Sequence, residues 1–431
     1  MRTCCQPNFR PATVVCLLCL IVSPAIAQRA SYEQPPIDYH HASVNDPVAQ
    51  LQAKLESGET ELAFDDKHGY LKSILDQLDV PESSQTLVFS KTSLQLHRIS
   101  PRRPRALYFN DDVYVGWCQQ GDVLELAATD PQQGAIFYTL KQTAEPHPAI
   151  TRDRGHCLSC HASGRTQNVP GYLIRSVFAG RSGQPNLGSG SFTTDHRSPF
   201  AERWGGWYVT GTHGRMRHMG NVYFDEDDEQ GDRDTGANQA TLDRLISTDA
   251  YLTPHSDIVA LMVMEHQTQM HNAIAAANYE TREALHQMAH MNELLEREPG
   301  FLSESAERRI NKSAERVVTQ LLMCDEFELT DPVQGTSDFA TEFVNRGPRD
   351  ARGRSLREFD MQRRLFRYPC SYLIYSAAFD QLPDQVRSRV ADQLRAVLDG
   401  TDQSPQFAHL TPALRADILQ ILRDTKPTLS L

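Results

Sequence analysis

Between residues 86 and about 142 apolar and polar positions alternate with a period of two, and beyond residue 236 the period lengthens to that of a helix. The runs 86–89, 106–109, 113–117, 123–126 and 135–140 read as short strands, and Asp130-Pro131-Gln132-Gln133-Gly134 supplies turn chemistry between the last two. Residues 172–178 and 204–210 are also strand-like, with Gly- and Ser-rich loops between them. Two short helical stretches, 47–57 and 70–79, follow a polar leader. A long amphipathic segment, 255–297, lacks internal Pro and Gly, and helices are predicted at 303–325, 354–366, 371–379, 384–398 and 411–423. The pattern predicts an α+β chain with a β-rich N-terminal half and a helical C-terminal half. Its divisions are a signal at 1–27, a leader with short helices at 28–85, a β-rich unit at 86–235 and a helical unit at 236–431.

The N-terminus changes the picture by setting a compartment. Arg2 and Arg10 precede an apolar run at 12–22, and Ser23-Pro24-Ala25-Ile26-Ala27 ends in a small-x-small cleavage site. The apolar run is about half the ~20 residues a membrane-spanning helix needs. The expectation is a periplasmic or otherwise exported chain starting near Gln28, with no stable membrane insertion after cleavage. The formal net charge is −12, and losing Arg2 and Arg10 makes it more negative. This argues against nucleic acid and anionic membranes as partners and suits a basic-faced protein. The acidic stretch 225–229, followed by Gly231, Asp232 and Asp234, misses the spacing of a calcium loop and reads as solvated. Cys4, Cys5, Cys16 and Cys19 leave with the signal. Cys118, Cys157, Cys160, Cys324 and Cys370 remain, an odd number.

The chemistry concentrates in Gly155-His156-Cys157-Leu158-Ser159-Cys160-His161. In C-x-x-C-H each thiol can add across a haem vinyl group, and the adjacent imidazole is then placed to ligate the iron. Competing readings are a thioredoxin-like C-x-x-C, which usually opens a helix after a strand, and a zinc knuckle, which wants a second Cys or His pair nearby. The segment resembles the haem-attachment site of c-type cytochromes, with Cys157, Cys160 and His161 matching its motif residue by residue. That resemblance implies one covalent haem c, attachment by the cytochrome c maturation machinery, and electron transfer with a redox partner protein. The motif stands mid-chain, so it does not imply the fold of the small class I cytochromes or their methionine ligand position. A single motif also disfavours a di-haem peroxidase.

The sixth iron position separates a carrier from an enzyme. Candidates are His218 and Met219, in a Gly-bracketed loop with His213 and Met216, and then His266 on the long helix, four residues before Met270. Met262, Met264 and Met270 also read as core filler, and His286 and His290 as a helix face. At the haem rim, Arg165 leads a set of propionate donors with Arg102, Arg103, Arg105 and Arg175. Trp207, with Trp204 and Tyr208, is a candidate wall of the porphyrin. The sequence therefore predicts a mono-haem electron-transfer protein. The alternatives are a haem enzyme with an open sixth site, such as a peroxidase or small-molecule oxidoreductase, and a non-enzymatic haem-bearing subunit of a larger complex.

Overall fold

A computed structural model of the chain describes Met1, residues 30–224 and residues 231–431. The expected signal and the acidic stretch 225–229 lie outside the described residues. The chain is α+β.

Its strands are β1 (Thr86–Val88), β2 (Arg105–Phe109), β3 (Val113–Trp117), β4 (Val123–Asp130), β5 (Gly134–Lys141), β6 (Ile150–Arg152), β7 (Arg175–Val177), β8 (Ser191–Thr193) and β9 (Trp207–Tyr208). Seven of them form one antiparallel sheet in the order β6-β5-β4-β3-β2-β1-β9, and β7 pairs with β8 alone. The sheet is a meander built from consecutive strands, closed at one edge by β9. Asp130 pairs with Gly134 where β4 turns into β5, as the turn chemistry predicts, and Gly134 takes φ +69° there.

The helices are α1 (Pro47–Ser57), α2 (Leu71–Gln77), α3 (Leu158–His161), α4 (Arg233–Gly236), α5 (Ile258–Leu294), α6 (Glu304–Leu321), α7 (Phe339–Asn345), α8 (Ala377–Asp380), α9 (Asp384–Leu398) and α10 (Pro412–Thr425). Helix α1 starts where Asp46 accepts from the amides of Val48 and Ala49, with Pro47 at the first position. In α5, Asp257 does the same for Val259 and Ala260.

The two faces of the sheet are covered unequally. Register places Tyr108, Val115, Leu126 and Tyr138 in one row, all buried, and Tyr138 donates its hydroxyl to Asp46 at the head of α1. On the opposite face Leu107, Gly116, Glu125 and Thr139 share a row, and Leu107, Glu125 and Thr139 are only half-buried. The next row on this face, Phe109, Tyr114, Ala127 and Phe137, is met by α5 at its Tyr114 end, where Gln267 Nε2 donates to the Tyr114 hydroxyl at 2.7 Å. Helix α5 thus covers part of the face and leaves the neighbouring row open.

Three expectations are corrected. Segment 255–297 is helical as predicted, but from Ile258 to Tyr279 α5 is buried on every side, so only its later part is amphipathic. Residues 354–366 are not a helix. They fold back on themselves, with Phe359 bridged to Phe366 and the two rings stacked at 5.7 Å, and with Met361 at φ +54°. Arg357 lies over the rings of Tyr372 (4.3 Å) and Phe343 (4.6 Å), so tertiary aromatic contacts override local helix preference. Segment 371–379 divides into a 3-10 turn, Tyr372–Tyr375, and α8. The break is at Ser376, whose hydroxyl accepts from the Phe379 amide.

Burying α5 among polar neighbours has a pH consequence. His271 Nε2–H donates to the Asp111 carbonyl at 2.8 Å, and burial pushes its pKa down to about 4 against the opposing pull of Asp111. The unfolded chain then takes up a proton near the ordinary value of 6.5 while the folded chain does not. Stability should therefore fall as pH drops from about 6.5 to 4 and be flat above that window on this account. His271→Gln should flatten the slope by up to one proton in urea unfolding at a series of pH values. An unchanged slope would remove this role.

Candidate functional site

Asp153 sets the geometry of the C-x-x-C-H segment. Its Oδ2 accepts from the amides of Gly155 (3.1 Å) and Cys157 (2.9 Å), and its Oδ1 lies 3.2 Å from His156 Nδ1. Burial opposes the Asp153 charge, but these amides hold the carboxyl below the ordinary carboxylate range. The single turn α3 follows at once, with the amides of Cys160 (3.2 Å) and His161 (3.0 Å) bonded to the Cys157 carbonyl. Cys157, Cys160 and His161 therefore lie on one turn, with Cys160 exposed and Cys157 half-buried.

The His161 ring stands against Phe137 on the half-open face of the sheet, with centroids 4.9 Å apart. Its Nδ1 lies 3.0 Å from the Gly171 carbonyl, so the N–H is on Nδ1 and the lone pair on Nε2. A carbonyl on the second nitrogen is the partner that orients metal-binding imidazoles. Burial pulls the imidazole below its ordinary pKa, with the Gly171 carbonyl opposing, which favours the neutral form a ligand needs.

Helix α5 holds Gly171 from behind. Asn272 Oδ1 accepts from the Tyr172 amide and Asn272 Nδ2 donates to the Tyr172 carbonyl, each at 2.8 Å. The Gly171 amide closes the loop by donating to the His161 carbonyl at 2.8 Å. A Cβ at Gly171 would stand 2.3 Å from Asn272 Oδ1, so the close approach requires glycine.

The thiol environment argues against the rival chemistries. Burial, and then the Asp153 charge, push Cys157 up to about 12, whereas redox C-x-x-C motifs depress a thiol. Among the described residues no three His, Cys, Asp or Glu side chains gather as a metal cage. Cys118, Cys324 and Cys370 are each a buried free thiol.

Two cations flank the motif. Arg165 is exposed and takes part in no salt bridge among the described residues. Arg175 donates from Nη2 to Ser191 Oγ at 2.9 Å, and its buried Nε has no partner. Burial and the nearby Arg165 charge pull Arg175 below the ordinary guanidinium value, and the influence of Cys160 on it places both near the motif. Trp207 stands in register with Val88 and Arg105 on the half-open side, and its indole N–H donates to the Arg175 carbonyl at 2.8 Å. Arg105 is neutralised across the sheet by Glu125 at 2.6 Å. Arg102 and Arg103 are exposed in the loop before β2. Tyr208 lies one residue along β9 from Trp207, faces away, and donates to the Pro101 carbonyl at 2.7 Å.

The remaining candidates lie in other contacts. His218 is buried against Trp204 (5.2 Å) and His213 (4.7 Å), and both ring nitrogens of His213 are bonded, to the Met216 carbonyl and the Asn238 amide. Met219 is fully buried and accepts from Ser176 Oγ at 3.6 Å. His266 is held at Nε2 by Ser371 Oγ (2.8 Å) and at Nδ1 by His196 (3.4 Å). Met262, Met264 and Met270 are core, and His286 and His290 are exposed. Sequence reasoning missed Asp153, Gly171 and Asn272. Only the first carried a local signal, the turn-forming Asp153-Arg154-Gly155.

Compared with protein-family models, curated proteins and solved structures, the chain finds no match in any of the three.

The glycine makes this arrangement testable. Gly171→Ala should cost about 1–3 kcal/mol by driving a methyl group into the Asn272 amide, measured by urea unfolding of the full chain. Wild-type stability in the variant would show that the loop does not depend on this contact.

Proposed function

We propose that the chain is an exported mono-haem c-type cytochrome that transfers electrons in the periplasm. The observation that carries this reading is the bond from His161 Nδ1 to the Gly171 carbonyl, with Cys157 and Cys160 on the same turn. Cys157 and Cys160 would hold the haem through thioethers and His161 Nε2 would be available to ligate its iron. Arg165 and Arg175 would receive the propionates. When bound, the haem supplies a one-electron iron couple. The chain's part is to orient the imidazole, keep it neutral, and leave the Cys160 edge open to a partner. The acidic balance of 55 Asp and Glu against 43 Lys and Arg suits a basic-faced redox protein.

A second reading, a haem enzyme with an open sixth position, gains support from the engagement of Met219 and His266 elsewhere, while His218 is packed among rings with its Nδ1 unpartnered. One preparation tests both. The protein is expressed with the cytochrome c maturation machinery and the secreted product is weighed intact. A mass without one covalent haem, or haem retained in a Cys157→Ala/Cys160→Ala variant after acid extraction, would overturn both readings. With haem attached, a low-spin ferric spectrum unmoved by cyanide and CO supports the carrier. A high-spin spectrum that shifts with either ligand selects the enzyme.

A further inference from the structure

A cavity of about 720 Å³ lies between residues 164–169, α5 and α6. Its wall contains none of Cys157, Cys160 and His161, nor the Arg105–Glu125 pair, and it shares only Arg165 with the haem surroundings proposed above. Three properties of the wall define what it can hold.

The first is a supply of unpaired amide groups. Gln269 lines the cavity and is 6 % exposed, and its buried Nε2 has no partner. Gln167, on the opposite wall, has a buried Oε1 in the same state. One offers a donor and the other an acceptor, the complement of a peptide group's C=O and N–H. A buried polar atom left unpaired keeps its full desolvation cost, so a ligand that satisfies both is favoured.

The second is charge separated along the helix pair. Glu283 of α5, and Arg316 of α6 with Arg165, take part in no salt bridge among the described residues. Helix α6 returns along α5, and Arg309 bonds Glu280 on the way. Arg316 stands seven residues beyond Arg309, about 10 Å further along the helix. The Glu283 carboxylate and Arg316 guanidinium are thus separated along the helix pair, while Glu280, bonded to Arg309, and the Asp195–Arg197 pair line the wall already neutralised.

The third is that match of length. Opposite charges about 10 Å apart correspond to the two termini of about three extended residues at ~3.3 Å each. The wall is too polar for an apolar ligand, and its one aromatic hydroxyl, that of Tyr279, is already bonded to the Gln133 carbonyl at 2.9 Å.

We propose that this cavity binds a short linear peptide of about three residues. Its free carboxylate lies toward Arg316 and Arg165, its ammonium toward Glu283, and its backbone pairs with Gln269 and Gln167. Nothing in this site requires the haem, so the proposal stands or falls separately from the cytochrome reading.

The test is isothermal titration of the full-length protein with a randomised tripeptide pool. The same pool with acetylated N-termini and amidated C-termini is a control, and maltotriose probes the oligosaccharide alternative. Saturable binding of the free pool is expected, weakened about tenfold or more by blocking the termini and by Arg316→Glu or Glu283→Lys. Arg316 is exposed and Glu283 half-buried, so both variants should keep the wild-type melting temperature, which separates lost binding from lost folding. No saturable heat with the free pool, equal binding of the blocked pool, or binding of maltotriose in its place would each overturn the proposal.

Discussion

The two hydrogen bonds between the Asn272 amide and the backbone of Tyr172 are the constraint on which the site depends. A side-chain amide carries one acceptor and two donors, and here it imitates a neighbouring strand. It fixes Tyr172, which fixes the Gly171 carbonyl, which fixes the His161 ring. The clamp works because it is buried at the centre of a helix that cannot move independently. About 55 Å long by the rise of its 37 residues, α5 is surrounded by protein over its first 22. Fixing a side chain through a rigid element, and not only through the turn that carries it, restricts its orientation.

Burying a helix that carries Glu265, His266, Gln267, His271 and Asn272 has a cost that the neighbours must offset. Most of these groups are satisfied from the sheet or the loops packed on it. Gln267 donates to the Asn110 carbonyl and to Tyr114, and His271 to Asp111. Glu265 is the exception. Arg203 Nη1 lies 3.2 Å from its Oε2, yet Oε1 is unpartnered, and burial outweighs the Arg203 charge to push the carboxyl up to about 7. Arg203 divides its donors, giving Nη2 to the carbonyls of His196 and Ser198. A buried pair in which one partner is shared is a weak source of stability but a strong register mark. It pins the loop before Trp204 to α5, close to the point where that loop meets β7 through the Gly205 amide and Ser176 Oγ.

Local pattern made much of this legible. Period-two alternation located β2 and β4 because burial alternates along them, with one face packed and the other partly open. The Asp130–Gly134 turn and the start of α5 were legible for the same reason: a turn and a helix cap are chemistry within a few residues. What failed had causes distant in sequence. Residues 354–366 carry helix-like apolar spacing, but Phe359, Phe366 and Phe343 answer to one another and to Arg357 rather than to a helical face. Likewise the loop at 213–219 gathers His and Met as a ligand loop would. The rings of Phe200 and Trp204, which bury His218, could not be anticipated from its own residues. The C-x-x-C-H turn was readable at Cys157, Cys160 and His161, while Gly171 and Asn272 stand 10 and 111 residues beyond His161 and leave no local trace.

Arg165 connects the two proposed sites. It lines the peptide cavity on one side, and its charge is felt by Arg175 on the other. Positive charge beside a haem favours the electron-rich state and raises its potential. A negative charge placed against the same guanidinium does the reverse, with the effect screened by solvent because Arg165 is exposed. A peptide carboxylate drawn to Arg165 would therefore lower the potential of a haem held at Cys157, Cys160 and His161, without any conformational change. The sign follows from Coulomb's law and the magnitude from how much water remains between the two groups. The rigidity that Asn272 gives the loop is what makes such a purely electrostatic coupling the natural one. A clamped backbone transmits charge but not movement.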